Sequence, residues 1–369
     1  LIYEQTCATE KRRRRKRGEL PDPKTFAVIN ELVCEGCGDC STESNCLSVE
    51  PKETEFGRKR QINQSNCNKD MSCLNGFCPS FVTVEGAERR KPKPADLDIG
   101  KLMQGVTLPA LPALDAPFNL LVTGVGGTGV VTVGQLISMA AHLEGKGASI
   151  LDFTGFAQKF GAVLSFVRIG RDPDAINQVR IDTGMADAVI GCDVVVSSSP
   201  KASGTYRSGT SVALNLASMP TGDLVLRRDA DLNIDARASA IAAVVGDGNL
   251  AAFDANAASE ALFGDAVYAN VMMLGFAWQR GLVPVTLDAL NRAIELNNVA
   301  VDANKRALAC GRLMAADPSA LEAHLNPKPD FAASLDDIVA RRAAFLEGYQ
   351  NAAWAERYRS RLEGFAARI

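Results

Sequence analysis

Short apolar runs alternate with helical patterns in the second third of the chain. Residues 118–123 form an apolar run that ends at a glycine, which is typical of a buried strand. Apolar side chains then recur at helical spacing from Val130 to Ala140, so this helix has one face for packing against a sheet. Further strands are predicted at residues 148–153, 161–169, 193–197 and 223–226. The alternation predicts an α/β fold with a mostly parallel, Rossmann-like sheet flanked by helices.

The pattern changes on both sides of this region. Helices are predicted beyond it at residues 251–263, 268–279, 287–310 and 335–365. Ahead of it, closely spaced prolines indicate an extended linker. We therefore expect five segments: a basic linker at 1–30, a ferredoxin-like module at 31–86, a proline-rich linker at 87–116, the sheet domain at 117–311 and a helical carboxyl-terminal segment at 312–369. Within the module, a short hairpin is expected near residues 54–62.

Composition excludes several classes of protein. Apolar residues make up 47% of the 369 positions and charged residues 22%, as in ordinary globular proteins. The net charge of −3 gives no global attraction to DNA or anionic lipid, so we expect neither a nucleic-acid nor a membrane partner. Two histidines are too few for a multi-histidine zinc site. The basic run at 11–17 is interpreted as a strap against an acidic neighbour, with a nucleic-acid signal as the alternative.

The longest uncharged stretch and the amino-terminal residues indicate where in the cell the protein is expected. Residues 116–143 lack charged side chains, but glycines and polar groups interrupt them, which favours a buried strand and helix over a membrane span. No signal peptide is visible, so a cytoplasmic protein is expected. Because the sequence starts at Leu1 rather than methionine, we expect it to be part of a longer polypeptide.

Seven of the ten cysteines lie between residues 34 and 78, a density that favours metal binding over disulfides in such a chain. Cys34, Cys37 and Cys40 are spaced like the opening of a bacterial ferredoxin motif, in which thiolates two residues apart surround an iron–sulfur cluster. Cys46 follows after five residues rather than the usual three. Zinc is the alternative metal, although zinc sites rarely use three cysteines this close together.

A second cysteine group repeats the spacing with one substitution. Cys67, Asp70 and Cys73 follow the same period, and Cys78 precedes a proline. In two-cluster ferredoxins the last cysteine of each group binds the other cluster. One 4Fe–4S cluster would then be bound by Cys34, Cys37, Cys40 and Cys78, and the other by Cys46, Cys67 and Cys73, with Asp70 or a solvent oxygen at the fourth iron. That second cluster is expected to lose one iron and become 3Fe–4S; the alternative is a single cluster with Asp70 on the surface.

A glycine-rich turn follows the first predicted strand of the sheet. Such a turn lets a pyrophosphate approach the backbone at the start of a helix. Asp152 lies where a ribose ligand is expected, Gln158 belongs to the loop that follows, and Ser197 ends a later predicted strand. The candidate cofactor-binding residues are therefore Gly124, Gly126, Gly127, Thr128, Gly129, Asp152, Gln158 and Ser197. The alternative is a turn that merely closes the strand onto the helix.

In combination, these features resemble the fused indolepyruvate ferredoxin oxidoreductases, which are large 2-oxoacid oxidoreductases. The resemblance rests on the order of several segments: residues 3–8 with the basic run, the ferredoxin-like cysteines, the glycine turn, residues 156–163, 264–275, 293–311 and the start of the tail at 335–359. It implies oxidative decarboxylation of an aryl pyruvate to an acyl-CoA, with electrons passing through clusters to ferredoxin.

The resemblance also implies a division of labour. Thiamine diphosphate and magnesium would be bound by domains upstream of residue 1, so this chain alone is expected to be inactive. Its share would be electron relay by residues 34–78 and a structural, CoA-facing role for a gamma-type sheet domain, with the upstream domains and a further copy of the chain as partners. Two alternatives remain: an NAD-binding iron–sulfur reductase subunit, and an interaction module whose basic arm binds nucleic acid.

Overall fold

A computed structural model describes residues 1–2, 4–88, 97–154, 161–218, 231–322, 324–325 and 334–366. Its largest feature is a sheet of six strands within these residues, in the order β10-β9-β8-β5-β7-β6. The strands are β5 Phe118–Val125, β6 Gly147–Thr154, β7 Ala162–Gly170, β8 Ala188–Gly191, β9 Ser211–Asn215 and β10 Leu250–Phe253. Asp223–Leu226, predicted as a strand, lies outside the described residues.

The directions of these strands confirm a mixed α/β fold with a mostly parallel sheet. Strands β5, β8, β9 and β10 pair in parallel, whereas β7 is antiparallel to both β5 and β6. Strand β6 therefore runs in the same direction as β5 but lies two positions away. The helix between them, α4 (Val130–Leu143), crosses over β7 instead of joining adjacent parallel strands. Strand β7 is thus the one departure from a simple β–α–β unit in this sheet.

Each face of the sheet is covered by helices because both faces are apolar. Leu120 and Val122 of β5 point into one core with α4, whereas Leu121 points into the opposite core, and all three are completely buried. The helices on the first face are α4, α8 (Ala255–Phe263), α9 (Ala269–Gln279), α10 (Leu287–Asn297) and α11 (Val301–Ala316). Those on the second face are α5 (Val194–Ser197), α6 (Pro200–Ser203) and α7 (Ile234–Val245).

Three local predictions are wrong. The strand predicted at 193–197 is instead the helical turn α5, because the Asp193 side chain accepts a hydrogen bond from Val196 N–H and caps it. The helix predicted from residue 251 begins only after β10, with Asp254 as its cap. The helix predicted over 287–310 is divided at Asn298, whose left-handed φ of 52° ends α10.

The cysteine-rich segment forms two small sheets. Strand β1 (Thr25–Ile29) pairs antiparallel with β4 (Phe81–Glu85), and β2 (Val49–Thr54) pairs with β3 (Gly57–Ile62) as the predicted hairpin. Helices α1 (Ala8–Lys16) and α2 (Asp39–Ser44) belong to the same segment. The short helix α3 (Ile99–Leu102) follows and packs against the core of the sheet domain. This small fold places the loops that carry the cysteines next to one another.

The chain divides into two compact units, of which the smaller comprises residues 51–59 and 327–369. In it, α13 (Leu335–Tyr349) and α14 (Ala352–Ala366) form a helical pair, so the predicted helix over 335–365 is interrupted. The carboxylate of Glu55 forms ion pairs with Arg341, at 3.4 Å between Oε1 and Nη1, and with Arg342, at 3.3 Å between Oε2 and Nη2. The larger unit also contains α12 (Ser319–Glu322). The domain boundaries predicted from the sequence remain predictions.

Within the described parts of the chain, no helix is long and apolar enough to cross a membrane. The uncharged stretch at 116–143 is β5, the glycine turn and α4, all packed in the sheet domain.

Candidate functional site

The first cysteine group lies on the loop between β1 and α2. Gly36 and Gly38 adopt left-handed φ angles of 76° and 81°, which tighten the loop around the sulfurs. The backbone N–H of Gly36 donates to Cys34 Sγ at 3.4 Å. Such an N–H can stabilise negative charge on a thiolate.

A cavity of about 550 Å³ joins this loop to the second cysteine group. Five cysteines border it: Cys34, Cys37, Cys40, Cys73 and Cys78. The structure therefore brings Cys78 to the first group, and Cys78 Sγ lies 3.0 Å from Ser80 Oγ. Cys73 lies at the boundary, because it also interacts electrostatically with the second group.

Cys46, Cys67 and Cys73 form the second group, with Asp70 nearby. The pKa of Cys73 is raised to about 11, chiefly by burial and also by neighbouring Cys67, Cys46 and Asp70, so these groups lie within electrostatic reach of one another. Lys69 N–H donates to Cys67 Sγ at 3.3 Å, as Gly36 does to Cys34. Asp70 is exposed, and its Oδ1 accepts hydrogen bonds from Ser72 N–H and Oγ–H.

A single metal ion and an iron–sulfur cluster require different arrangements of donor side chains. No group of three or more His, Cys, Asp or Glu side chains in the described residues is arranged to bind one metal ion. In a cubane, however, each thiolate binds a different iron atom, so its ligands lie further apart than those of one zinc ion. Soft sulfur donors, backbone N–H groups directed at sulfur and a cavity bordered by five cysteines fit a cluster.

Helix α1, which carries the basic run, connects the second cysteine group to the sheet domain. Arg12 Nη1 donates to Asn66 O at 2.5 Å, and Arg15 Nη1 to Asn68 O at 2.7 Å. Burial lowers the pKa of Arg12, whereas Asp265 and the thiols of Cys67 and Cys46 oppose that change, so the guanidinium lies beside these sulfurs. The basic run acts as a strap, as predicted, and its acidic neighbour is Asp265.

Asp265 is where the module and the sheet domain meet. Lys16 Nζ lies 3.2 Å from Asp265 Oδ2, and Ser65 Oγ donates to Asp265 Oδ1 at 2.7 Å. Despite partial burial, which acts in the opposite direction, the hydrogen bonds from Ser65 and Lys16 lower the pKa of Asp265. An ionised carboxylate of the sheet domain therefore receives hydrogen bonds from two segments across the junction, α1 and the cysteine-rich module.

The glycine turn connects β5 to α4. A Cβ at Gly124 would lie 2.6 Å from Val130, and Gly127 and Gly129 adopt φ angles of 86° and 101°, so side chains are disfavoured there. Gly126 N–H donates to Gly161 O at 2.7 Å, which joins the turn to the residue directly before β7. Because the turn lacks side chains at these positions, other backbone segments can approach it closely.

A cavity of about 80 Å³ lies over the glycine turn. Gly126, Gly127 and Thr128 border it together with Arg12, Lys16, Cys192, Asp193, Asp265 and Asn270. Typical ligand pockets measure several hundred Å³. The cavity therefore has room for a group the size of a phosphate, and the basic side chains of α1 supply charge that would complement it.

Asp193, which sequence reasoning treated only as the start of a strand, borders this cavity. Its Oδ1 accepts from Val196 N–H at 2.7 Å, whereas its Oδ2 is buried with no hydrogen-bond partner among the described residues. Burial raises the pKa of Asp193 to about 6. The sequence signal that could have identified Asp193 as a helix cap is an aspartate shortly after a buried strand, which is a common position for such a cap.

The remaining candidate cofactor residues are not at this cavity. Asp152 accepts a short hydrogen bond from Ser165 on β7 and does not border the cavity. Ser197 is completely buried, donates to Asp193 O at 2.6 Å and lies 2.7 Å from Thr123 Oγ1. Gln158 lies outside the described residues. Among the predicted residues that the structure describes, Gly126, Gly127 and Thr128 alone border the cavity.

Comparison with known proteins identifies the sheet domain. Indolepyruvate oxidoreductase subunit IorB of Thermococcus kodakarensis is 26% identical over 197 residues, which cover 53% of this chain and 94% of that protein. IorB of Pyrococcus horikoshii is also 26% identical, over 207 residues, with the same coverage.

Two solved structures also match part of this chain. Pyruvate oxidoreductase subunit PORC of Thermotoga maritima has 21% identity and a TM-score of 0.39, covering 54% of this chain and 96% of its own. The gamma subunit of a keto/oxoacid ferredoxin oxidoreductase of Geobacter sulfurreducens has 22% identity and a TM-score of 0.37, covering 54% and 98%.

A family model matches the sheet domain. The model for pyruvate ferredoxin/flavodoxin oxidoreductases matches residues 119–314, which are more than half of the chain. The resemblance to 2-oxoacid:ferredoxin oxidoreductases is thereby confirmed, whereas the alternative of an NAD-binding reductase has no support from these comparisons. The chain belongs to the pyruvate ferredoxin/flavodoxin oxidoreductase family.

Proposed function

We propose that this chain is the electron-relay and gamma-type portion of a thiamine-dependent enzyme that oxidatively decarboxylates indolepyruvate or another aryl pyruvate to an acyl-CoA. The observation that carries the proposal is the attachment of a module with seven cysteines to a domain of this oxidoreductase family. The relatives named indolepyruvate oxidoreductase support the substrate class. Thiamine diphosphate, which supplies carbanion-stabilising chemistry when bound, would be held outside residues 1–369.

The cysteine module would bind two clusters. Cys34, Cys37, Cys40 and Cys78 would hold the first. Cys46, Cys67 and Cys73 would hold the second, with Asp70 or a solvent oxygen completing it. The N–H groups of Gly36 and Lys69 would stabilise the thiolates, and Arg12 would place a positive charge beside the second cluster.

The arrangement of α1 supports a relay through the second cluster. Arg12 and Lys16 border both the glycine-turn cavity and the cavity beside Cys67. The second cluster would therefore lie next to the sheet domain, and the first cluster further from it. A carrier such as a ferredoxin would accept electrons from the module.

The glycine turn would bind one phosphate group of CoA. The cavity over Gly126–Thr128 fits a phosphate, and α4 directs its amino-terminal N–H groups and dipole toward it. The remainder of CoA would extend beyond this small cavity. Equilibrium dialysis of the intact enzyme should show CoA binding that Gly127→Val abolishes, because the change forces a side chain onto a left-handed backbone at the phosphate. Gly145→Val places the same backbone strain just beyond the other end of α4, away from this cavity, and should leave binding nearly unchanged. Equal binding by both variants would contradict the assignment.

Iron analysis tests the central proposal. Anaerobically purified chain should contain about seven to eight irons with matching sulfide, and should show the EPR signal of an oxidised 3Fe–4S cluster. Asp70→Cys should raise the iron content by about one and remove that signal. Zinc alone would overturn the proposal, and about four irons in both proteins would reduce it to one cluster.

Activity tests the reaction. The complete enzyme containing this chain should reduce a viologen dye only when indolepyruvate and CoA are both present. A Cys34→Ser variant should retain substrate binding but lose dye reduction, because electrons could not leave through the first cluster. Cys310→Ser is a matched control, because Cys310 is buried in the sheet domain, away from both cysteine groups. Dye reduction by NADH without the 2-oxoacid would contradict the proposed reaction.

A further inference from the structure

Helix α1 presents two different faces of its basic run. Arg12 and Arg15 lie three residues apart, so they project from the same side of the helix, and both are partly buried. Arg13 and Arg14, which lie between them in the sequence, are exposed and pair with Glu10 at 3.8 and 3.2 Å. The run therefore has one side in contact with the rest of the molecule and one side in solvent.

The two partly buried arginines bracket Cys67. Arg12 Nη1 donates to the carbonyl of Asn66 at 2.5 Å, and Arg15 Nη1 donates to the carbonyl of Asn68 at 2.7 Å. These asparagines are the residues directly before and directly after Cys67. Both arginines also border the same cavity as Cys67. A positive charge is therefore held at each of the two peptide groups that flank this thiol.

The hydrogen bonds of these arginines do not neutralise their charges, because a backbone carbonyl carries no net charge. The other two basic side chains at this cavity have acidic partners. Lys16 pairs with Asp265 at 3.2 Å, and Lys69 pairs with Asp22 at 2.7 Å. The lining of the cavity beside the second cysteine group thus retains an excess of positive charge, and the two arginines supply it.

Arg12 is not required as a hydrogen-bond donor to Asn66. The hydroxyl of Ser48, which is fully buried, also donates to the carbonyl of Asn66, at 2.9 Å. Burial lowers the pKa of Arg12, whereas the thiols of Cys67 and Cys46 oppose that change, so the guanidinium loses hydration next to these sulfurs. A charge that is withdrawn from water is stabilised by an opposite charge nearby. Thiolates that bind a cluster would provide that opposite charge.

We propose that Arg12 and Arg15 are positioning residues that raise the reduction potential of the second cluster and so favour the transfer of an electron to it. The inference rests on the proposed function, because it assumes a cluster at the second cysteine group. One electron, which comes from the 2-oxoacid that the enzyme oxidises, reduces the cluster and adds one negative charge, and no bond of the cluster forms or breaks. Two nearby positive charges stabilise the reduced state more than the oxidised state. Asp70 opposes them, but it is exposed, so water and salt screen its charge.

An anaerobic redox titration of the intact chain, followed by EPR, tests the proposal. The signal that Asp70→Cys changes identifies the second cluster. Arg12→Gln removes the charge and keeps an N–H donor, so at a fixed potential the ratio of oxidised to reduced second cluster should rise about tenfold, which for one electron is about 59 mV. Arg15→Gln should shift the ratio in the same direction. The potential of the first cluster should change little, because neither arginine borders the cavity of the first cysteine group.

Two further variants separate charge from structure. Arg12→Lys keeps the positive charge and should give nearly the ratio of the unaltered chain. Arg13→Gln is the matched control, because it removes the same charge from the exposed side of the same helix, where solvent screens it. It should leave the ratio nearly unchanged. Equal shifts in Arg12→Gln and Arg13→Gln would overturn the proposal, because net charge alone would then set the potential.

The outcomes also separate this proposal from the proposed function. Iron and sulfide are measured on every variant. Full iron content with unchanged potentials in both Arg12→Gln and Arg15→Gln would overturn the role of the arginines and leave the clusters in place. Loss of the second cluster from both variants would overturn it too, because the arginines would then be needed to bind the cluster and not to set its potential. Zinc in place of iron in the unaltered chain would overturn the proposed function, and this inference with it.

Discussion

The sheet domain and the cysteine-rich module are stabilised by different interactions. The sheet domain buries large apolar clusters on both faces of six strands. The module buries a small set of side chains, namely Ala27, Ile29, Cys34, Val49 and Ile62, with further cysteines packed at its margin. A segment this short rarely buries enough apolar surface to fold by itself, and metal binding commonly supplies the difference. The first region should therefore fold without a cofactor, and the second should not.

Removal of iron should have the largest effect. After anaerobic chelation, we expect residues 31–86 to lose nearly all amide protection, whereas the sheet domain keeps its protection, because ligand binding supplies the folding free energy of the module. Hydrogen exchange read by mass spectrometry measures both regions in one sample. Reconstitution with iron and sulfide should restore the protection. A module that stays protected without metal would show that its small core is sufficient.

A tight crossing of helices tests the sheet domain next. A Cβ added at Gly275 of α9 would lie 2.0 Å from Leu308 O, and one at Gly311 of α11 would lie 1.9 Å from Met272 O. These contacts are with backbone, so Gly275→Ala should lower the free energy of unfolding by more than about 3 kcal/mol, despite the better helix propensity of alanine. Denaturant unfolding measures the loss, and iron content should not change.

Gly348 provides the matched control. It lies inside α13, and an added Cβ would meet no atom of the described residues within 4 Å. Gly348→Ala should therefore stabilise its helix by about 0.5–1 kcal/mol. If Gly275→Ala behaved like Gly348→Ala, the two helices could not be packed as closely as the structure has them.

The sequence predicted different structural features in the two regions. Hydrophobic runs located β5, β6 and β7, but such runs carry no strand direction, so the antiparallel β7 could not be foreseen. The apolar run at 194–196 fits a strand or a buried helical turn equally well, and the cap at Asp193 decided between them. Cysteine spacing predicted that the loops carrying the cysteines bind metal, and this stays a prediction. The junction at Asp265 was out of reach, because Lys16 lies 249 residues away in the chain.

Buried Asp193 should make the stability of the sheet domain depend on pH. Burial raises its pKa to about 6, whereas an unfolded aspartate ionises near 4. The folded state thus holds the proton more tightly, so the contribution is full below about pH 4 and is lost as pH rises through 6. Asp193→Asn cannot ionise, so its unfolding free energy relative to wild type should rise by about 2 kcal/mol between pH 4 and pH 7.

Asp254 is the control for this substitution. It also caps a helix, accepting from Ala257 N–H at 2.8 Å, but it is exposed. Asp254→Asn should keep the cap and give a nearly constant difference from wild type over the same pH range. Parallel pH profiles for the two variants would show that burial of Asp193 does not control its ionisation.

The junction between the regions should give the smallest effects, and their order is informative. Lys16 and Asp265 form a partly exposed ion pair, so Lys16→Met should cost less than about 1 kcal/mol. Ser65→Ala removes a hydrogen bond to a half-buried carboxylate and should cost about 1.5 kcal/mol. Hydrogen exchange of the module in the iron-loaded chain measures both free-energy costs, because a weaker junction lets the module open while the sheet domain stays folded.

Adding salt should reduce the effect of Lys16→Met and leave that of Ser65→Ala unchanged. A larger cost for Lys16→Met would mean that long-range charge, rather than the buried hydrogen bond, holds the metal-dependent region on the region that folds without metal.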